Sequence, residues 1–237
     1  KGKTLFAEIY NLRRIIKEYE PEIILSFLTQ INIATIVAAI GLKIPVIVSE
    51  RNDPNQMPAQ RYRKFLRTCI YPLASGFVFQ TEQAMNYFRE EIRNKSVIIP
   101  NPIFMNVKPT SPESRTKEIV SIGRLVPQKN HEHIILAFKK IANKYKDYKL
   151  SIYGEGAQRD MLQKIIRESE LENRILLKGE TNSLHDEIKN AEMFVLASSY
   201  EGMPNALMEA MALGIACIST DCPSGGPSFL IDNMKNG

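Results

Sequence analysis

Two glutamates close the stretch Glu201-Gly202-Met203-Pro204-Asn205-Ala206-Leu207-Met208-Glu209. An apolar, strand-like run from Met193 to Ala197 leads into it, and a helical run to Leu213 leads out. Pro204 suits the first helical turn, where no N–H is lost and its φ is already helical. Leu207, Ala210 and Met211 form the apolar stripe of that helix, while Asn205 and Glu209, four apart, share another face. Gly214 stops it. The amides from Gly202 to Asn205 then stand at the positive end of a helix dipole, which is a ready anion site. One carboxylate brackets that site on the loop and one on the helix. A phosphate flanked by hydroxyl-bearing groups satisfies the whole set, amides on phosphate and carboxylates on hydroxyls. A nucleoside-diphosphate sugar has that chemistry. The same residues also suit an ordinary capped helix with a surface glutamate at each end.

Gly123-Arg124-Leu125-Val126-Pro127-Gln128-Lys129-Asn130 supplies two cations after another strand-like run. Arginine offers phosphate a planar fork and lysine a point charge. Two cations and a helix start can neutralise a diphosphate leaving group without a metal. No metal-ligand spacing is present: His131 and His133 are two apart on one predicted helix and do not face each other, and His185 is distant in sequence. None is read as a ligand, although His131 lies close to Lys129. The loop Asp221-Cys222-Pro223-Ser224-Gly225-Gly226-Pro227 is a further amide-rich turn, suited to phosphate contact or to a plain connection. Gly154-Glu155-Gly156 is a weak signal, since a tight strand–helix turn needs such glycines anyway.

The elements that must position these residues alternate. In the second part, strands are expected at Glu118 to Ile122, Leu150 to Tyr153, Ile175 to Lys178, Met193 to Ala197 and Ala216 to Ser219. Helices are expected at His131 to Tyr145, Gln158 to Ser169, Leu184 to Asn190 and Pro204 to Leu213. In the first part, Leu5 to Tyr19 is helical and ended by Pro21. Ile23 to Phe27 is a buried strand, Asn32 to Gly41 a helix, and Pro45 to Ser49, Gly76 to Phe79 and Val97 to Ile99 are strands. Strands separated by helices of this length indicate βαβ units and parallel sheets, with the ligand loops gathered at the C-terminal strand edge. Glu50-Arg51-Asn52-Asp53-Pro54 follows such an edge, as a functional loop or as a turn rich in Asn, Asp and Pro. Pro100, Pro102, Pro109 and Pro112 mark a change in composition. Residues 1–105 therefore read as one domain, 106–116 as a linker and 117–237 as a second domain.

The 237 residues carry 44% hydrophobic and 24% charged side chains, as a globular protein does. Residues 1–105 hold 14 Lys/Arg against 9 Asp/Glu, whereas 106–237 hold 17 of each. The excess positive charge therefore sits in the first part. It suits an anionic surface or acceptor there, or a merely well-solvated surface. Gln60 to Leu73 reads as a helix with Tyr62, Phe65, Leu66, Cys69 and Ile70 on one face and Arg61, Arg63, Lys64 and Arg67 largely elsewhere. A core-facing helix with a basic outer side is the preferred reading, and one lying on an anionic membrane is the other. Cys69, Cys217 and Cys222 read as reduced thiols, and no apolar run has the length of a membrane span. The expected location is the cytoplasm, including the inner face of the cell membrane. The chain opens inside a helical pattern at Lys1 and closes on the turn signal Asn236-Gly237, so it reads as part of a longer one.

Several of these segments, in order, carry a family resemblance. Gly123-Arg124-Leu125 with Lys129, then Tyr153-Gly154-Glu155-Gly156, then Glu201 and Glu209 with Ala210-Met211-Ala212 and Gly214, then Thr220-Asp221-Cys222-Pro223, resemble retaining glycosyltransferase family 4. Ser49 to Pro54 and Ile99-Pro100-Asn101-Pro102 are similar to its bacterial, polysaccharide-building branch. The resemblance implies a GT-B architecture: α/β, with two Rossmann-like domains facing across a cleft, acceptor on the first and nucleotide sugar on the second. It assigns Arg124 and Lys129 to the diphosphate, Glu209 to the ribose hydroxyls and Glu201 to the donor sugar. Gly123, Gly202, Met203, Pro204 and Asn205 complete the donor site. The implied reaction moves a sugar, from a UDP-hexose or UDP-N-acetylhexosamine by default, to a glycan or lipid-linked acceptor with retention. No cofactor, no metal and no nucleic-acid partner is expected. Many members carry a histidine on a first-domain loop. This chain has none before His131, and Glu50 and Arg51 stand near that place as acceptor-side candidates. Phe229 stands where relatives usually have Glu. The family's opening strand and glycine loop are expected upstream of Lys1, and its closing strand and helices downstream of Gly237. Alternatives are a nucleotide-sugar epimerase of the same fold and a non-catalytic nucleotide-sugar-binding subunit. Arg124, Lys129, Glu201 and Glu209 standing together argue against the latter.

Overall fold

The computed structural model describes residues 5–237. Lys1 to Thr4, with which the expected first domain begins, lie outside the described residues. Apolar residues at helical spacing form α1 (Leu5–Tyr19), which ends before Pro21, whose ring and missing N–H cannot continue a helix. Four parallel strands follow: β1 (Ile24–Phe27), β2 (Val46–Glu50), β3 (Gly76–Phe79) and β4 (Ser96–Ile98), in the order β1-β2-β3-β4. Between them run α2 (Thr29–Ala39), α3 (Arg61–Ile70), α4 (Glu82–Asn86) and α5 (Glu90–Arg93). Their core joins Ile33 and Ile36 of α2 to Val46, Val48, Phe77, Phe79, Tyr71 and Phe88.

Two expectations for this part are corrected. Among the described residues β1 lies at the edge of its sheet with Leu25 and Phe27 facing outward, so Ile23 to Phe27 is not buried here as expected. On α3, Leu66 and Ile70 pack on the core, but Tyr62 and Phe65 are 59% and 68% exposed. Arg67 takes the inward place, 2% exposed. Its guanidinium donates to Met57 O (2.8 Å), Pro54 O (2.9 Å) and Tyr87 Oη (2.9 Å) and lies over the rings of Tyr87 and Phe88. A planar donor fork with a full set of acceptors can be buried where an ammonium would not be. It fastens the loop that follows β2.

Glu50 ends β2 with its carboxylate buried. Tyr71 Oη donates to Glu50 Oε1 in a short contact, and Thr29 Oγ1 donates at 3.2 Å. Burial raises the Glu50 pKa above the ordinary carboxylate value, against the opposing pull of the Tyr71 hydrogen bond and the Arg67 charge. A raised folded-state pKa gives stability that is fully present below the unfolded carboxylate pKa and lost as pH rises through the folded value. Glu50→Gln removes that loss. Asn32, whose side chain neighbours Glu50, has a buried Oδ1 without a partner. The Glu50→Gln midpoint should exceed wild type by about 2 °C or more at pH 7, roughly 1 kcal/mol for a chain of this size. The gain should vanish toward pH 4. A difference that does not vary with pH would refute the role of ionisation.

The second part holds β5 (Thr116–Ile122), β6 (Lys149–Tyr153), β7 (Ile175–Gly179), β8 (Ala191–Leu196) and β9 (Ala216–Ser219), all parallel, in the order β7-β6-β5-β8-β9. With them run α6 (His131–Ala142), α7 (Arg159–Glu168), α8 (Leu184–Ile188), α9 (Asn205–Ala212) and α10 (Gly226–Leu230). Strand side chains alternate between two cores. Ile119, Leu150 and Ile152 meet α6 and α7 on one face. Val120, Tyr153, Phe194 and Leu196 meet α8 and α9 on the other. This is why these strands read as continuous apolar runs: both faces are covered.

The chain divides into two compact units: residues 1–101 with 223–225, and residues 102–222 with 226–237. The segment 106–116 is therefore part of the second unit. Val107 packs on its core, Thr110 Oγ1 donates to Asn190 Oδ1 (2.9 Å), and Arg115 bonds the carbonyls of Ala191 (2.7 Å) and Gly214 (2.7 Å).

Candidate functional site

From β5 the chain steps outward to β6 and β7, then returns to the other side of β5 to lay down β8. The loops after β5 and β8 consequently leave the sheet in opposite directions, and the crevice between them is where open α/β sheets bind ligands. Those loops carry Gly123 to Asn130 and Ser198 to Asn205. They are stitched together: Ser199 N donates to Gln128 O (2.8 Å), Gln128 Nε2 to Tyr200 O (2.8 Å) and Asn130 Nδ2 to Ala197 O (3.0 Å). Lys129 Nζ pairs closely with Glu201 Oε1, and Ser198 Oγ donates to the same oxygen at 2.7 Å. The two charged side chains are 15% and 11% exposed. Gln128, Asn130 and Ser198 were not singled out by the sequence reading, because their role is to hold one loop to another.

The glycines have separate reasons. The Lys129 stem crosses Gly123, where a Cβ would stand 3.1 Å from Lys129 Cδ and Cε. A Cβ on Gly154 would stand 2.2 Å from Gly123 O, and one on Gly156 would stand 2.4 Å from Leu125 O. The turn after β6 thus forms the floor of the cationic loop, with Gly123 N donating to Tyr153 O (2.9 Å) and Leu125 N to Glu155 O (2.9 Å). His131, read only as a non-ligand, is buried behind that loop with Nε2 3.3 Å from Gly123 O and Nδ1 3.4 Å from Ser121 Oγ. Burial first, and then the Lys129 charge, lower its pKa, while its hydrogen bond to Gly123 pulls the other way.

Pro204 sits one place earlier than expected. It is the N-cap of α9, extended at φ −78° and ψ 105°, and the helix begins at Asn205. Its carbonyl accepts from Leu207 N (3.1 Å) and Met208 N (3.2 Å). Leu207, Ala210 and Leu213 bury the helix against the sheet, and Gly214, at φ +67°, turns the chain out of it. Arg115 binds the Leu213 and Gly214 carbonyls, placing a cation at the negative end of the dipole. The opposite end carries the positive field toward Gly202. A Cβ on Gly226 would stand 1.8 Å from Gly202 O, so the first residue of α10 is pressed against this loop. Glu209, one helical turn in, meets His185 Nε2 of α8 at 3.4 Å through Oε2. His185 and Glu209, far apart in sequence, are thus brought together.

Arg124 is exposed and makes no ion pair among the described residues. It borders a cavity of about 280 Å³ at the ends of β5, β6 and β7, with Tyr153, Gly154, Gly179, Thr181 and Leu184 among its walls. The Tyr153 pKa is pushed up to about 12, by burial first and then by Glu118 and Glu187, so its phenol stays protonated. In the first unit, Glu50 is turned inward, whereas Arg51 is exposed, hydrogen-bonded to Asn101 and 5.5 Å over the Phe27 ring. Among the described residues no three or more His, Cys, Asp or Glu side chains are grouped to hold a metal ion. No described helix is long and apolar enough to cross a membrane.

The second unit is doubly wound, and it sets cations, a helix start and carboxylates at the switch point of its sheet, a geometry suited to a phosphorylated ligand. Residues 106–237 match the family model of glycosyl transferases group 1, and the chain belongs to that family. It is 28% identical to an uncharacterized glycosyltransferase of Methanocaldococcus jannaschii, over 98% of this chain and 63% of that one. It is 27% identical to a Campylobacter jejuni alpha-1,4-N-acetyl-D-galactosaminyltransferase acting on a diphospho-undecaprenol-linked glycan, over 98% of this chain and 65% of that one. The chain therefore spans about two thirds of the curated relatives it matches. Staphylococcus aureus TarM superposes with TM-score 0.80 at 23% identity, over 98% of this chain and 47% of that one. Anabaena HepE, solved with UDP-glucose, superposes with TM-score 0.82 at 15% identity, over 95% and 65%. These likenesses establish the fold, which is of the GT-B class.

Proposed function

We propose that the protein transfers a sugar from a nucleoside-diphosphate donor, a UDP-hexose or UDP-N-acetylhexosamine, to a glycan or lipid-linked acceptor with retention of configuration. The observation that carries this reading is the meeting of Lys129, Glu201 and the start of α9 at the switch point of the second sheet. Arg124 and Lys129 hold the diphosphate, with Gly123 beneath and the Gly202, Met203, Pro204 and Asn205 backbone alongside. Glu209 takes the ribose hydroxyls and Glu201 the donor sugar. The cavity beside Arg124 takes the base. The Campylobacter relative's lipid-linked acceptor and the UDP-glucose bound to HepE support the choice of partners.

In the reaction, the bond from the anomeric carbon to the β-phosphate oxygen breaks and its electron pair leaves with the diphosphate. An acceptor hydroxyl attacks from the same face, and its proton passes to the departing phosphate oxygen. The negative charge that develops there is met by Arg124, Lys129 and the helix start, so that preorganised electrostatics is the main catalytic contribution. The first unit carries the acceptor, with Arg51 exposed at the end of β2 and Glu50 buried beneath it. The test is a nucleotide-sugar panel with the full-length protein, read by mass spectrometry of the acceptor and by NMR of the new anomeric centre, with and without EDTA. A product of retained configuration formed in EDTA is expected. Inversion, a chelator-sensitive reaction rescued by a divalent ion, or an isomerised nucleotide sugar would each overturn part of the reading.

The two carboxylates should separate kinetically. Glu209→Gln should mainly raise the donor KM, because a ribose contact is equal in ground and transition states. Glu201→Gln should mainly lower kcat, because it stands beside the reacting sugar. Equal small effects on both parameters in both variants would contradict these placements.

Peripheral contact with an anionic membrane also belongs to this reading. Tyr62 and Phe65 point out of α3 beside Arg61, in the unit that holds the excess positive charge. Arg61→Glu with Phe65→Ser should release the protein from phosphatidylglycerol vesicles in a flotation assay. Arg67 is the wrong residue to reverse, since it is interior. Absence of binding, or binding unchanged by the double substitution, would reduce α3 to a surface helix.

A further inference from the structure

We propose that His185 is a positioning residue for Glu209, and that through it the protein selects a ribose over a 2′-deoxyribose in its donor; this rests on the placement of Glu209 at the ribose. His185 Nε2 lies 3.4 Å from Glu209 Oε2, and both side chains are about a quarter exposed, at 26% and 27%. The helices that present them share one core: Leu184 and Ile188 of α8 pack with Leu207 and Ala210 of α9. The start of α8 is fixed as well. Thr181 Oγ1 and Ser183 Oγ both donate to the Glu187 carboxylate, and Ser183 N donates to Thr181 Oγ1 (3.1 Å). Thr181 and Leu184 also border the cavity beside Arg124. A single short segment thus walls the cavity and meets the carboxylate on α9.

A glutamate on a helix surface samples several rotamers, and a hydroxyl acceptor must be held still to discriminate. The imidazole ring standing 3.4 Å from Oε2 narrows the rotamers open to the carboxylate and leaves Oε1 with its lone pairs for a donor hydroxyl, as outer partners orient ligating groups elsewhere. A site built to bond a hydroxyl rejects the analogue that lacks it, because its own polar group is then left unpaired. If the carboxylate is free to swing to water, that penalty falls. His185 would therefore affect discrimination more than overall affinity.

The experiment measures the affinities of the full-length protein for uridine diphosphate and 2′-deoxyuridine diphosphate by calorimetry, in wild type, Glu209→Gln, His185→Ala and His185→Gln. Wild type should favour the ribonucleotide by about tenfold or more. Glu209→Gln should remove most of that preference. His185→Ala should reduce it severalfold, and His185→Gln, which restores a polar side chain near the same place, should recover much of it. Thermal midpoints close to wild type would accompany this, since both side chains are part-exposed. If His185→Ala weakens both ligands equally, or neither, while Glu209→Gln lowers the ratio, the inference about His185 fails and the ribose placement stands. If Glu209→Gln leaves the ratio unchanged, the ribose placement itself fails, and His185 has nothing to position.

Discussion

Lys129→Ala and Arg124→Ala should each lower turnover about a hundredfold or more, the loss of one charged donor to a developing phosphate charge being worth roughly 3 kcal/mol. The structure separates the two by a second measurement. Arg124 is exposed and unpaired among the described residues, so its removal should leave the thermal midpoint where it is. Lys129 is the partner of Glu201, and both are largely shielded from water. Removing it strands a carboxylate whose remaining donors include Ser198, at a cost of about 1–3 kcal/mol. Lys129→Ala should therefore lose stability as well as rate, by roughly 2–4 °C for each kcal/mol in a chain of this length. Lys129→Arg keeps the charge but cannot fit a planar fork over Gly123 so readily. Turnover at the wild-type rate in either alanine variant would sink the diphosphate assignment. An unchanged midpoint in Lys129→Ala would show that the ion pair contributes nothing to the fold.

Gly154→Ala and Gly226→Ala should be nearly as damaging, although neither residue touches the proposed ligand. Their added methyl groups would stand 2.2 Å from Gly123 O and 1.8 Å from Gly202 O. Both obstacles are backbone, so the loop must move. The first movement displaces the Gly123-Arg124 turn, the second the loop leading into α9. Displacement of a site by about an ångström is worth roughly a hundredfold in rate, and overpacking of this kind costs about 1–3 kcal/mol or more. Gly41→Ala is the control: it also has positive φ, at +78°, but its Cβ would meet nothing within 4 Å. It should carry only the local cost of a left-handed alanine, about 1–2 kcal/mol, with donor affinity unchanged. Wild-type nucleotide affinity in Gly154→Ala would mean that the cationic loop tolerates a shift, and that the turn after β6 does not set its position.

The sequence by itself determined the alternation of strands and helices in the second unit, because β5, β6 and β8 are covered on both faces and read as largely apolar runs. It also marked Gly123 to Lys129 and Glu201 to Glu209 as candidate stretches, since glycine, proline and charge at strand ends are local signals that need no distant partner. It misjudged β1 and α3, where apolar residues face outward and Arg67 inward, because spacing shows which residues share a face but not which side a neighbouring element covers. It could not reach the pairs whose members lie far apart in the chain. Lys129 with Glu201, His185 with Glu209, His131 under Gly123 and Arg115 on the end of α9 depend on the strand order, which places β8 beside β5. Likewise, Gly156 is needed for the approach of Leu125 O, and Gly154 both for its own positive φ of +132° and for the approach of Gly123 O. Each residue type advertises what it can bind, but which of those capacities meet is decided when non-local strands pair and bring their C-terminal loops to one edge.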